Sequence, residues 1–198
     1  PDFKLSYQGH ECQWNGPSWP YATSVALTAM SNLLNNYSQS VVGRADYYKL
    51  SKTYATSQQL KTGEGKVVPW IDENLNPLTG DWISRTRLKS WHDGTWVKDK
   101  GGIERGKDYN HSTFCDLVIS GLIGLRPSEG NHLVINPLLP EGKWDYFCLD
   151  KLLYHGKEIT ILYDKDGTRY RRGNGFMVWV NGKKIGAAKT LGKMTINM

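Results

Sequence analysis

The sequence predicts an α+β chain in which helices come first and a small antiparallel β-domain follows. Three segments before residue 127 place apolar residues at helical spacing, whereas beyond it short β-rich runs alternate with turn dipeptides. In addition, six of the eight tryptophans lie before the third of these helical segments, outside any clear period. We therefore expect two portions, residues 1–127 and residues 128–198.

The first helix is expected from about Pro20 to Tyr37. Proline is favoured at the first helical position, and the Asn35-Asn36 pair is a stop signal. Between these ends the apolar residues fall at i, i+4, i+7, i+8 and i+11: Ala26, Met30, Leu33, Leu34 and Tyr37.

The second and third helices are expected over residues 43–60 and 112–125. The second carries a weaker apolar stripe of Tyr47, Leu50 and Tyr54, and the third repeats the pattern of the first helix. Arg126-Pro127 is expected to end the third helix, because the residue before a proline resists the helical conformation.

Residues beyond 127 predict an antiparallel sheet of short strands. Three dipeptides suit tight hairpin turns, namely His155-Gly156, Asp166-Gly167 and Asn181-Gly182. The strands are expected at Leu133–Ile135, Tyr146–Leu149, Ile159–Tyr163, Phe176–Val180 and Thr195–Ile196.

Composition and charge exclude several classes of protein. With 39% apolar and 22% charged residues among 198, the chain is neither a disordered tail nor a disulfide-stapled miniprotein. A net charge of +6 is mild, and the basic run Arg169–Arg172 is better explained as a solvated strand edge than as a nucleic-acid surface. No apolar run approaches the ~18 residues of a membrane span. Three cysteines without a C-x-x-C spacing suggest no zinc site, and we expect no metal and no cofactor.

The segment from residue 61 to residue 107 predicts a functional surface. It has little period, and structureless stretches longer than about 12–15 residues within compact domains are usually functional or disordered. Disorder is the poorer interpretation because the segment holds four tryptophans: Trp70, Trp82, Trp91 and Trp96. Tryptophans on loops beside carboxylate, amide and imidazole groups suit a surface that stacks on the apolar faces of sugars and bonds their hydroxyls.

Three motifs carry a resemblance to a known family. Glu11–Pro20 resembles the Trp-x-Gly-Pro-x-Trp loop of (α/α)6-barrel glycoside hydrolases, particularly family 63 and the mannosylglycerate-hydrolase-like group. Asp72–Gly80 is similar to the Glu-x-Tyr/Leu-x-Pro-x-Thr-Gly motif that carries their catalytic base. Tyr109–Phe114 resembles, more weakly, the aromatic-Ser-Trp-Thr signature that opens their next helix.

A further resemblance covers the passage from helix to sheet. Ile119–Pro127 and Leu133–Pro137 are similar to the exit of the barrel into a C-terminal β-sandwich in family 78 α-L-rhamnosidases. Together the matches imply the last helices of an (α/α)6 toroid followed by an antiparallel β-sandwich. They also imply that the remainder of the barrel comes from the same longer polypeptide, and they favour a periplasmic or secreted location.

The resemblance implies a glycoside hydrolase that cleaves O-glycosidic bonds with inversion, acting on an oligosaccharide or glycoside. Glu73 would be the general base, and the general acid lies on an earlier barrel loop outside this chain, which would be inactive alone. Inverting enzymes need two carboxyl groups about 6.5–9.5 Å apart, one acid and one base. The residues implied to contact substrate are Trp14, Asn15, Gly16, Pro17, Trp19, Asp72 and His111.

The same residues also fit simpler roles. Glu73 can be a loop carboxylate that caps a turn, and Asp72 competes with it as the base. Trp14 and Trp19 can close the end of the first helix, and His111 can be a locally bonded helix-start histidine. The chain as a whole can instead be a non-catalytic carbohydrate-binding module, or an interaction domain whose tryptophans form a core.

Overall fold

The computed structural model describes residues 18–61, 65–71, 73, 75 and 111–198. The described residues form two compact units. The first contains the residues up to Leu27 and those from Leu50 to Phe114, and the second contains Thr28–Lys49 and Cys115–Met198. The domain boundary expected at residue 127 stays a prediction.

The first two helices are confirmed with slightly shorter bounds. α1 covers Pro20–Asn36 and begins with its proline, as the start signal predicts. The Thr23 hydroxyl donates to the Trp19 carbonyl (2.9 Å) in the first turn. α2 covers Arg44–Ser57, and the carboxylate of Asp46 in its first turn accepts the Gly43 N–H (2.8 Å). This bond fixes the chain entry into α2.

The third helix changes its winding along its length. It begins as the short helix α3, Phe114–Leu117, and continues as a π-helix over Val118–Ile123. Gly124 ends it with φ +86°, and its N–H donates to the Ile119 carbonyl five residues earlier (3.0 Å). The stop expected at Arg126-Pro127 therefore comes earlier, because glycine adopts the left-handed conformation without a steric penalty.

A short hairpin follows α2 and reaches into the segment that shows little sequence period. β1, Gln59–Lys61, pairs antiparallel with β2, Val67–Pro69. The Trp70 N–H extends this pairing by donating to the Gln58 carbonyl (3.0 Å).

The second unit contains two antiparallel sheets. The three-stranded sheet has the order β3-β4-β9, with β3 Leu125–Arg126, β4 His132–Ile135 and β9 Met194–Asn197. The four-stranded sheet has the sequential order β5-β6-β7-β8. Its strands are β5 Tyr146–Tyr154, β6 Lys157–Asp164, β7 Gly175–Val180 and β8 Lys183–Ala188.

One hydrophobic core joins these two sheets into a sandwich. Alternate residues of β6 and β7 belong to this core and are paired across the strands, as Ile159 with Val180 and Ile161 with Val178. They meet Leu133 and Ile135 of the other sheet in the same core cluster. Inward-facing residues at a period of two are the expected pattern for packed antiparallel sheets. The predicted α+β chain with a C-terminal antiparallel sandwich is thus confirmed, while the toroid stays a prediction.

Two of the three predicted hairpin turns are confirmed. His155-Gly156 joins β5 to β6 and Asn181-Gly182 joins β7 to β8, with positive φ at all four residues. Asp166-Gly167 instead lies in a longer connection, residues 165–174, between β6 and β7. The basic run Arg169–Arg172 belongs to this connection, so its expected placement on a strand edge is wrong. There the Arg169 guanidinium lies over the Tyr146 ring (4.7 Å to its centroid).

Strand β8 has no signal in the sequence. Its residues, Lys-Lys-Ile-Gly-Ala-Ala, favour strands weakly. The Asn181-Gly182 turn imposes the strand by directing the chain back along β7, which pairs with β8 from Val180–Lys183 to Phe176–Ala188.

Candidate active site

Two segments that carry predicted site residues are joined by backbone hydrogen bonds. Ser18 N–H donates to the Leu75 carbonyl (2.8 Å), and Leu75 N–H donates to the Ser18 carbonyl (3.1 Å). Ser18 directly precedes Trp19, and Leu75 follows Glu73 by two residues. This isolated antiparallel bridge therefore holds the entry to α1 beside the segment that contains Glu73.

Glu73 is a buried carboxyl group. Only 3% of its surface is exposed, although it lies outside any helix or strand. Burial of a carboxyl group is costly unless polar partners compensate it, so such a group on a non-repetitive segment is seldom there for packing alone. A buried carboxylate that can reach a water molecule is suited to general base chemistry.

A recess of about 100 Å³ lies beside this bridge in the first unit. Trp19, which is half-buried, forms part of its wall, and the last turns of α2 form another part. The residues that line it are Ser18, Trp19, Pro20, Thr23, Leu50, Thr53, Tyr54, Ser57, Gln58 and Leu75. Small-molecule sites usually measure about 300–1,000 Å³, so this recess alone is smaller than such a site.

His111 is bonded to a tyrosine of α2. The Tyr54 hydroxyl and His111 Nδ1 lie 3.0 Å apart, and the two rings are 5.9 Å apart. Phe114 packs edge-on against Tyr54 (5.2 Å between centroids). Burial raises the pKa of the Tyr54 hydroxyl, while a hydrogen bond with Ser24 acts in the opposite direction. The phenol therefore stays protonated at neutral pH and can donate to His111.

Tyr54 lines the recess and contacts His111, a placement that the sequence did not predict. The sequence placed it in the apolar stripe of the second helix, and it is indeed buried. Its polar role depends on His111, which lies 57 residues further along the chain. A second polar contact orders the same region, because Thr113 Oγ1 donates to Ser24 Oγ of α1 (2.8 Å).

The structure describes three of the eight predicted site residues, namely Glu73, Trp19 and His111. It brings the segments of Glu73 and Trp19 together through the bridge, and Trp19 shares the recess with Tyr54, the partner of His111. The other five lie outside the described residues: Trp14, Asn15, Gly16, Pro17 and Asp72.

In the described part of the chain, no group of three or more His, Cys, Asp or Glu side chains is arranged to hold a metal ion. No helix there is long and apolar enough to cross a bilayer.

Comparisons with known proteins match both portions of the chain. Residues 1–112 match the mannosylglycerate hydrolase MGH1-like glycoside hydrolase domain. Residues 125–186 match the C-terminal domain of glycosyl hydrolase family 65, a different family from the rhamnosidases that the β-region resembles.

A solved structure described as a sialidase is similar over 96% of this chain, with 43% identity and a TM-score of 0.76. The chain spans only 16% of that protein's length. Since the first match covers more than half of the chain, the chain belongs to the MGH1-like glycoside hydrolase family.

Proposed function

We propose that this chain supplies the general base and part of the sugar site of an inverting glycoside hydrolase. The Ser18–Leu75 bridge is the observation that carries the proposal, because it holds the Trp19 segment and the Glu73 segment side by side. A base that activates water must lie near the surface that binds the sugar, and the bridge supports that arrangement. Glu73 would be the base, and its burial supports this role.

In the proposed reaction Glu73 takes a proton from a water molecule as the water oxygen attacks the anomeric carbon. The glycosidic oxygen leaves from the opposite face of the sugar and receives a proton from a second carboxyl group. The water attacks from the face opposite to the leaving group, so the configuration inverts. We place the general acid in a part of the polypeptide outside this chain. This is consistent with the comparison above, in which the chain spans only 16% of the length of the similar structure.

The remaining predicted residues would bind substrate. Trp19 and Trp14 would stack on the apolar face of a sugar ring, with Asn15, Gly16 and Pro17 shaping the loop between them. Asp72 and His111 would bond hydroxyl groups, and Tyr54 would hold the imidazole in place through its 3.0 Å contact. The substrate class is an oligosaccharide or glycoside.

The proposed architecture is the end of an (α/α)6 barrel over residues 1–127, followed by a β-sandwich over residues 128–198. The match to a glycoside hydrolase domain over residues 1–112 supports the first portion. The match over residues 125–186 supports the second.

The test is Glu73→Gln in the complete polypeptide that carries this sequence. Glutamine keeps the shape of the side chain but cannot take a proton from water. We expect turnover to fall about 10²–10⁴-fold while substrate affinity is largely kept. Steady-state kinetics on an aryl glycoside measure both quantities, and NMR of the released sugar reports whether its configuration inverts.

Two controls distinguish the base from other carboxylates. Glu141→Gln makes the same change at an exposed residue and should leave turnover unaltered. Azide should restore activity to Glu73→Ala and give a glycosyl azide of inverted configuration, since the small anion replaces the activated water.

Near-normal turnover of Glu73→Gln would refute the assignment of Glu73 as the base, and a retained product configuration would refute the inverting mechanism. Sugar binding without any hydrolysis by the unmodified polypeptide would favour a binding module.

A further inference from the structure

The outer face of the four-stranded sheet carries a groove of about 340 Å³. Thr160 of β6 and Trp179 of β7 line it and are paired neighbours across the two strands. Their neighbours along the strands all belong to the hydrophobic core: Ile159, Ile161, Val178 and Val180. Because successive side chains of a strand point to opposite faces, Thr160 and Trp179 point away from that core. Trp179 is only half-buried there, which leaves aromatic surface available in the groove.

The connection between β6 and β7, residues 165–174, builds one wall of this groove with Tyr170 and Arg172. A buried carboxylate anchors that connection: Asp164 is 1% exposed and accepts the N–H groups of Gly167 (3.1 Å) and Tyr170 (2.7 Å). The wall is therefore held in place before any ligand arrives, which lowers the entropic cost of binding.

An irregularity in β5 supplies further lining of the groove. The register shifts between Leu149 and Leu152, and Lys151 has φ +54°. Within it the Asp150 carboxylate accepts the Thr160 hydroxyl (2.6 Å), while Lys151 N–H donates to Thr160 Oγ1 (3.3 Å). The irregularity thus brings Asp150 and Lys151 to the edge of the groove, an arrangement typical of β-bulges that redirect side chains.

The chemistry of the lining suits an uncharged ring rich in hydroxyl groups. Two carboxylates, Asp150 and Glu158, balance two cations, Lys151 and Arg172, so the lining has no net charge. A phosphate or nucleic acid would meet the carboxylates unfavourably, whereas sugar hydroxyls both donate and accept hydrogen bonds. The volume falls within the ~300–1,000 Å³ of ligand sites.

We propose that this groove is a second carbohydrate-binding site, which takes a neutral pyranose unit. Its apolar face would lie on Trp179 and its hydroxyl groups would face Asp150 and Arg172. The site holds a glycan on the β-domain and takes no part in bond cleavage. The choice of a sugar as ligand rests on the proposed glycosidase function.

A chemical protection experiment on the complete polypeptide tests the proposal. Cys148 lines the groove, while the exposed Cys115 lies outside it and serves as an internal reference. Methyl α-mannopyranoside, methyl α-glucopyranoside and maltotriose are the probes, each up to about 50 mM to detect millimolar dissociation constants. We expect at least one to slow iodoacetamide alkylation of Cys148 while leaving that of Cys115 unchanged.

Two variants then assign the binding to the groove. Trp179→Ala removes the stacking surface, and Arg172→Gln changes an exposed residue of the connection, where folding is least at risk. Each should raise the probe concentration needed for half-protection by about tenfold, as for the loss of one good aromatic or charged contact. The neighbouring exposed Arg171 does not line the groove, so Arg171→Gln should leave that concentration unchanged.

The outcomes separate this site from the proposed active site. No protection by any probe would overturn the proposal, as would equal effects of Arg172→Gln and Arg171→Gln. Glu73→Gln should leave the protection of Cys148 intact. If turnover of Glu73→Gln is normal but Cys148 is still protected, the hydrolytic mechanism fails and the second site stands.

Discussion

Gly121 leaves no room for a side chain beside Tyr47. Tyr47 is fully buried in α2, and its hydroxyl donates to the Leu117 carbonyl (2.9 Å). A Cβ atom added to Gly121 would overlap that hydroxyl group. The π-helix can approach the tyrosine only because residue 121 is a glycine.

We expect Gly121→Ala to lower the free energy of unfolding by about 1–3 kcal/mol, the usual cost of overpacking a rigid core. Denaturant unfolding followed by circular dichroism measures the change. Gly192→Ala is the matched control, since nothing lies within 4 Å of a Cβ atom there. Gly121→Ala combined with Tyr47→Phe should cost less than the sum of the two single changes, because both act on one contact. Strictly additive losses of unfolding free energy would show that movement of other atoms relieves the overlap at residue 121.

Two helices and a strand meet at the side-chain amide of Asn136. Asn136 directly follows β4, and only 9% of its surface is exposed. Its amide nitrogen donates to Asn35 of α1 (2.8 Å), and its amide oxygen accepts from Arg44 of α2 (3.2 Å). Its backbone N–H also donates to the Gly124 carbonyl (2.7 Å). Asn136 therefore connects the end of β4 to residues of α1 and α2 that lie in the same second unit.

Asn136→Ala should lower the free energy of unfolding by about 1–3 kcal/mol, because it removes two side-chain hydrogen bonds, one to the half-buried Asn35 and one to the exposed Arg44. Asn136→Asp keeps the acceptor for Arg44 but loses the donor to Asn35, so an intermediate loss is expected. Urea unfolding of both variants checks whether Asn136→Ala loses more unfolding free energy than Asn136→Asp. The change Asn131→Ala at an exposed residue is the control. If Asn136→Ala matches the control, the three elements are held by apolar packing alone.

The elements differ in how far the sequence predicts them. α1 and α2 follow from a helical period and from local end signals such as Pro20, so they form as expected. The π-helix is not predicted because its apolar residues also fit the spacing of an α-helix. Strand β8 is not predicted because the geometry of the Asn181-Gly182 turn imposes it. Within the candidate site, the motifs point to Glu73 and Trp19, and their roles stay predictions. Tyr54 was missed because its polar partner is distant in sequence.

For the molecule as a whole, the β-sandwich core extends beyond the β-rich part of the sequence. Ile123 and Leu125, which precede residue 127, belong to the core cluster, and Tyr48 of α2 packs against it. Residues 28–49 lie in the same compact unit as residues 115–198. The sandwich therefore completes its packing with residues from the helical portion.

Removing residues 128–198 from the complete polypeptide should abolish soluble expression, because the buried Ile123 and Leu125 would face water. The yield of soluble protein and its resistance to limited proteolysis measure the effect. A Gly-Ser insertion at the exposed His155-Gly156 turn is the control and should be tolerated. A shortened protein that melts at the parent temperature would mean that the sandwich is an independent appendage.

The pair of backbone bonds between Ser18 and Leu75 has a practical consequence for protein engineering. Because main-chain groups form both bonds, any residue other than proline at positions 18 and 75 can make the same pair. Substitutions at either position therefore keep the bridge, whereas a graft that changes the spacing between residue 18 and α1 would leave the Leu75 N–H and carbonyl groups unmatched and release the backbone around Glu73. A successful graft would carry both segments together and treat them as one cassette.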